Sequence, residues 1–322
     1  MLPPRPIFSV PLADGRQLDL GHRTLVMGIL NITPDSFADG GVRMDPDRAA
    51  ADAAQMIADG ADILDIGGES TRPGAPAVPA DEEWRRIAPV LERLRGRVRV
   101  PISVDTYKAE VAAKALAAGA TIVNDVSGLT FDPDLAGVVA HRGAAVVLMH
   151  TRGRSDDMYA RAQYEDVVRD VIRELGERGT AARAAGIDDT RVIYDPGIGF
   201  AKRAEQSFEV LARFSEFAAL GRPLLAGPSR KSYLKAALDV VPPDLTASAE
   251  ATAVRRSISR RRKVRRSDEH GRSDERFPPA QRVWGTAAAV TAAILAGAHI
   301  VRVHDVAEMA QVVRVADAIR RT

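Results

Sequence analysis

Seven short apolar runs in this 322-residue sequence end in residues that donate, accept or carry charge. The terminal residues are Asn31, Asp65, Asp105, Asn124 with Asp125, His150, Asp195, and Arg302 with His304. Any one alone reads equally well as a loop cap or a satisfied polar residue. Seven at equivalent places point to one shared polar pocket. An eighth run, 223–226, leads into Gly227-Pro228-Ser229-Arg230-Lys231-Ser232. Backbone N–H groups, hydroxyls and two cations there can hold an anion or a polar heterocycle; the plainer reading is a helix cap with exposed basic residues. Arg302 and His304 occupy alternate positions of one run and so share a face. With Asn31 beside them they make a natural diphosphate site. The stretch from Asp195 to Lys202 (DPGIGFAK) sets an acid, two glycines, an aromatic and a lysine at fixed spacing.

These residues need a scaffold that gathers strand ends. The run 25–30 has no alternation, as in a strand buried on both faces, and Asn31 opens a polar loop ending in Gly40-Gly41. Further strands are expected at 63–66, 101–105, 122–125, 144–150, 192–195, 223–226 and 300–304. Helical spacing follows at 46–59, with Asp45 as N-cap, Pro46 at the first position and Gly60 as stop. It recurs at about 81–95, 108–118, 133–141, 165–185, 205–220, 230–238, 286–295 and 306–319. Strand–helix alternation implies parallel strands with right-handed crossovers. Eight such units favour an α/β fold closed as a (β/α)8 TIM barrel over an open sheet, with every strand end on one rim and strands one and eight adjacent. Upstream, 7–10 and 17–20 flank Ala13-Asp14-Gly15-Arg16 and read as an N-terminal β-hairpin placed to plug the barrel bottom. The chain, 1–322, reads as a single domain with a basic insert at 254–284.

The bulk numbers exclude several classes. There are no cysteines, so no disulfide framework, thiolate metal site or thiol nucleophile. No apolar run reaches the ~18–20 residues of a membrane span, and the N-terminus carries no secretion signal; a cytoplasmic chain without a membrane partner is expected. No His-Glu-x-x-His, Walker loop or Ser-His-Asp order is present. A Mg²⁺ shared between Asn31 and substrate phosphates suits that ion's sparse protein ligation. The net charge of +2 conceals an uneven spread. Residues 255–282 hold 11 Lys+Arg against four Asp+Glu, leaving 34 basic and 39 acidic residues, a net of −5, elsewhere. A nucleic-acid reading from whole-chain charge would therefore rest on one segment.

Eight blocks together resemble the dihydropteroate synthase family. They are MGILNITPDSFADGG (27–41), DIGGESTRPGA (65–75), ISVDT (102–106), IVNDVSG (122–128), LMH (148–150), DPGIGFAK (195–202), GPSRKS (227–232) and GAHIVRVHDV (297–306). They stand in family order and span most of the chain. The resemblance implies a homodimeric TIM barrel in folate synthesis that joins 6-hydroxymethyl-7,8-dihydropterin diphosphate to 4-aminobenzoate. It implies that Asp105, Asn124, Asp195 and Lys231 bind the pterin, with Asp105, Asp195 and Lys231 catalytic. Asn31, Arg302 and His304 would hold the diphosphate, with Mg²⁺ at Asn31. Thr71, Arg72, Pro73, Phe200 and Ser232 would frame the aminobenzoate, where sulfonamide analogues should compete, and Phe37 would close over it as part of a lid.

The departure from the family is the segment 254–284, where the family has a short linker. Its density of like charge suggests a solvated linker. A nucleic-acid contact is not expected, because the run lacks interleaved aromatics; an influence on the dimer is a third reading. Deleting 255–282 should then leave turnover largely intact. Two other functions compete: a methyltetrahydrofolate-binding methyltransferase barrel, which would need no diphosphate site, and a non-catalytic pterin-binding protein acting through the insert.

Overall fold

The computed structural model describes residues 2, 4–33, 45–70, 74–239 and 277–322. A hairpin comes first: β1 (Phe8–Pro11) pairs antiparallel with β2 (Gln17–Leu20). Eight parallel strands follow: β3 (Leu25–Asn31), β4 (Ile63–Gly67), β5 (Ile102–Asp105), β6 (Ile122–Asp125), β7 (Ala145–Met149), β8 (Val192–Asp195), β9 (Leu225–Ala226) and β10 (Ile300–Val303). The sheet order is β8-β7-β6-β5-β4-β3-β10-β9. A single parallel bridge, Tyr194 to Leu224, joins its two edges, with Tyr194 N–H donating to Pro223 O at 2.9 Å. The expected (β/α)8 barrel is thus formed, and strands one and eight meet, with Arg302 opposite Met27.

Helices α1 (Pro46–Asp59), α2 (Ala80–Leu94), α3 (Ala109–Ala117), α4 (Leu135–Arg142), α5 (Val167–Ala184), α6 (Ala204–Ala212), α7 (Ser232–Leu238), α8 (Val283–Leu295) and α9 (Val306–Arg321) pack outside the strands. The ends of α1 fall where its residues require. Asp45 accepts from the Asp47 N–H at 2.9 Å, and Gly60 stops the helix in the left-handed region, φ 113°. Asp166 caps α5 by accepting from Val168 and Arg169. The helix expected at 205–220 instead breaks after Ala212 into a 3-10 segment, Phe214–Leu220. Phe214 and Phe217, both fully buried, are three residues apart, which aligns them on one side of a three-residue turn.

The strands sort their side chains by parity. Val26, Leu64, Ile66, Val104, Val123, Val146 and Val301 face the helices in one large core. The alternate positions face inward. At the barrel bottom these are Leu25, Met27, Ile63, Ile122, Val147, Ile193 and Ile300, packed against Val10, Leu12, Leu18 and Leu20 of the hairpin, which plugs that end as expected. Two residues higher, the same inward parity carries Asp65, Asn124, Asp195 and Arg302. Burying the apolar layer below leaves a dry floor under this polar one.

Two further features frame the barrel. Arg5 is buried, its guanidinium donating to Thr24 Oγ1 at 2.6 Å, Ala298 O at 2.7 Å and Asp317 at 2.5 Å, and this pins the N-terminal arm to α9. Outside, α8 and α9 leave Trp284, Val315 and Ile319 in solvent, at 79, 62 and 50% exposure. No described helix is long and apolar enough to cross a membrane.

Candidate active site

Burial makes the polar layer a linked set. Asp65 is fully buried, and its Oδ2 accepts from Arg302 Nε at 2.6 Å and Asn124 Nδ2 at 2.9 Å. Arg302 Nη2 donates to Asp105 Oδ2, also at 2.6 Å. One guanidinium therefore bridges carboxylates from two strands, the planar fork geometry that favours arginine over lysine. Burial pushes the Asp105 carboxyl up to about 7, with Arg302 opposing the shift and Asp65 adding to it. Asp195 is likewise raised by burial, although Gly197 N–H donates to its Oδ1 at 2.8 Å. The Lys231 ammonium, enclosed beside Arg302, is pushed down to about 7 by burial first and by that neighbouring cation second. Its Nζ lies 3.6 Å from the centre of the Phe200 ring.

Above this layer is a cavity of ≈ 510 Å³, within the usual range for small-molecule sites. Asp105, Arg302, Lys231, Phe200, Asn31, Thr33, Ser229, Ser232 and His304 line it. Ser229 Oγ accepts from the His304 N–H at 3.2 Å and faces its Nδ1 at 3.0 Å, which fixes the imidazole against the loop. Arg230 sits in the left-handed region, φ 58°. Its guanidinium is committed to Asp305, Nε to Oδ2 at 3.0 Å, its N–H donates to Thr286 Oγ1 at 3.1 Å, and its carbonyl accepts from Arg282 Nη1 at 2.9 Å. Both cations expected in this loop line the cavity, and Arg230 is in addition tied into the loop and to Asp305. Arg282 and Pro279 line the same cavity. The described end of the 254–284 segment is therefore part of the site wall, and Val283 and Trp284 already belong to α8; residues 254–276 lie outside the described ones.

The structure brings together Asn31, Asp105, Phe200, Lys231, Ser232, Arg302 and His304 around one cavity. Asn124 and Asp195 reach the same polar layer at its floor. Two strand-end residues do not join them. Asp125 caps its own loop, accepting from Ser127 N–H at 2.7 Å and Leu129 N–H at 2.5 Å. His150 is fully buried between Lys202 and Glu174. Phe37, Thr71, Arg72 and Pro73 lie outside the described residues. Arg282 was not singled out from sequence as a site residue; Asp65 and Ser229 were named there only as a strand-end acid and a loop hydroxyl, with no individual role. Inward parity, shared with Asp105 and Asn124, was the available signal for the place of Asp65 in the polar layer, while its pairing with Arg302 was not visible.

A family model described as pterin binding enzyme matches residues 27–304. The chain is 44% identical over 315 residues, 98% of its length and 96% of the relative's, to a dihydropteroate synthase from Synechocystis sp.. Among solved structures, Xanthomonas albilineans dihydropteroate synthase with 4-aminobenzoic acid is 40% identical, TM-score 0.79, covering 97% of this chain and 99% of that one. The same organism's enzyme in complex with 7,8-dihydropteroate is 37% identical, TM-score 0.77, covering 97% and 100%. With its pocket built on the strand ends that carry those motifs, the chain belongs to the dihydropteroate synthase family of pterin-binding enzymes.

Proposed function

We propose that the chain condenses 6-hydroxymethyl-7,8-dihydropterin diphosphate with 4-aminobenzoate to 7,8-dihydropteroate, releasing diphosphate. The observation that carries this reading is the bridged layer Asp65–Arg302–Asp105 with Asn124, Asp195 and Lys231, beside a cavity that Asn31, Ser229 and His304 also line. Carboxylates and an amide at that depth match the amino and ring N–H groups of a pterin edge. Asp105, Asn124, Asp195 and Lys231 would hold that ring, and Arg302 would lie against it.

Asn31, Arg302 and His304 would take the diphosphate. As the C–O bond breaks, its electron pair leaves with the diphosphate, and donors already in place stabilise the developing charge. The electron-rich pterin would support the cationic carbon, with Asp105 and Asp195 opposing its charge. The arylamine nitrogen then forms the new C–N bond and gives up a proton. A neutral arylamine needs no strong base for this step. Phe200 and Ser232, with Thr71, Arg72 and Pro73, would frame the aminobenzoate, and Phe37 would cover it; excluding water protects the cationic carbon from hydrolysis.

Mg²⁺ belongs to the same reading. Among the described residues no cluster of three His, Cys, Asp or Glu could cage a metal. The neutral oxygen donor lining the cavity, Asn31, fits an ion that keeps most of its ligands from water and phosphate. When bound there, Mg²⁺ would neutralise charge on the leaving diphosphate. A homodimer through α8 and α9 would cover Trp284, Val315 and Ile319. A cytoplasmic location goes with this reading, since a charged diphosphate substrate does not cross membranes unaided.

The test is formation of dihydropteroate from the two substrates with Mg²⁺. Folded protein that yields no product at high enzyme concentration would sink the reading.

A further inference from the structure

Lys202 is 2% exposed and does not line the cavity. Its Nζ donates to Gly197 O at 3.1 Å and Phe200 O at 3.1 Å, and it faces His150 Nδ1 at 3.0 Å. On the far side of the ring, His150 Nε2 lies 2.9 Å from Glu174 Oε2. Burial opposes ionisation of Glu174, but His150 and Arg152 outweigh it and hold its carboxyl well below the usual range. An ionised carboxylate only accepts, so His150 Nε2 carries a proton. Burial, followed by the Lys202 charge, keeps the imidazole from taking a second one. His150 Nδ1 is then an acceptor, and three acceptors around Nζ match the three N–H bonds of an ammonium. Burial pushes Lys202 down to about 7, with Asp195 opposing that shift, so the ammonium is the form held on the acid side of neutrality.

The segment those carbonyls belong to is a tight ring. Gly197 has φ +68°, and a Cβ there would lie 2.0 Å from His150 O. Ala201 holds φ 48°, a conformation a non-glycine residue rarely adopts. Tyr164 OH donates to Ala201 O at 2.8 Å. The output of the ring is Phe200, which stands against Lys231 in the cavity wall.

We propose that Lys202 is a positioning residue: a sealed ammonium that shapes the 197–201 loop from within, backed by His150 and Glu174, so that Phe200 is held against Lys231 on the aminobenzoate side. Lys202 cannot reach substrate, so it acts through that loop. The inference rests on the aminobenzoate placement given under Proposed function.

The test uses the full chain, with wild-type turnover measured first as the separate check on the function. In Lys202→Ala, KM for 4-aminobenzoate should rise ~10-fold while KM for the pterin diphosphate moves less than ~3-fold, the scale of lost charge-assisted hydrogen bonds. Added n-propylammonium, which replaces the deleted atoms, should restore aminobenzoate KM; n-propanol should not. Unchanged kinetics, or equal recovery with n-propanol, would overturn the proposal. If Lys202→Ala does not fold, Lys202→Met keeps most of the stem and removes the donors to Gly197 O and Phe200 O, and should raise aminobenzoate KM alone; an unchanged value overturns it. A further readout does not depend on turnover: at pH 6, below the value of about 7 to which burial pushes Lys202, ¹⁵N-lysine-labelled wild type should show a slowly exchanging ammonium that His150→Ala perturbs. A neutral amine, or protons in rapid exchange, counts against the clasp.

Discussion

Asp105 and Lys231 shift toward neutrality from opposite sides, and that dictates a pH profile. Below about 7 Asp105 takes up a proton and would lose the carboxylate contact proposed for the pterin; above about 7 Lys231 loses a proton and with it a charge-assisted donor. A bell-shaped kcat/KM for the pterin diphosphate, centred near neutrality, is therefore expected, and its limbs belong to the pair. Asp105→Asn should remove the acid limb and, like Lys231→Ala, lower kcat/KM more than ~10-fold in steady-state assays. Asp65→Asn should cost a similar ~10-fold without touching substrate, because Arg302 and Asn124 both lean on Asp65 Oδ2. The strand-end carboxylates were legible as a set, because polar residues at seven equivalent places point to one pocket, although Asp125 shows that a single one can be a loop cap. Their pairing was not, since it depends on which strands face each other across the barrel. His150 shows the opposite limit: a polar residue at the same place in the pattern turns outward to Glu174 and serves the scaffold.

The eight strand–helix units could be read because apolar runs and caps are local signals. The start of α1 follows from Asp45 and Pro46, and its stop from Gly60. The break between α6 and its 3-10 extension was hidden, since apolar spacing across 205–220 fits a helix as well. Tertiary contacts decide it, with Arg213 at the break reaching Asp166 at 3.0 Å, Glu209 at 2.7 Å and Glu216 at 2.8 Å. The role of 277–282 was hidden for a related reason. Composition marked the whole basic segment as linker, whereas Arg282 ties the strained Arg230 into the site wall. Arg282→Ala should therefore lower kcat/KM although it lies in that segment. At the loop after β8, Gly197→Ala should cost more than ~2 kcal/mol in a denaturant titration, because the added methyl meets the His150 carbonyl.

Across the whole molecule, the ends of the chain are joined through Arg5 and Asp317. Replacing Asp317 by Asn leaves a buried guanidinium without its counter-charge and should cost about 3 kcal/mol of unfolding free energy. Val315→Glu with Ile319→Glu should turn a dimer into a monomer in sedimentation if α8 and α9 form the contact. The barrel also has an uneven circumference. Neighbouring strands pair along their lengths except between β8 and β9, where one bridge and a two-residue strand complete the circle. Opening that join breaks fewer ladder bonds than opening any other. Asp195 ends the strand on one side of it, and the loop carrying Lys231 leaves the strand on the other. Native-state hydrogen exchange should find the Tyr194 amide less protected than Leu64 or Ile66. The site would then straddle the place where the barrel breathes, with Asp195 and Lys231 on opposite lips of the gap.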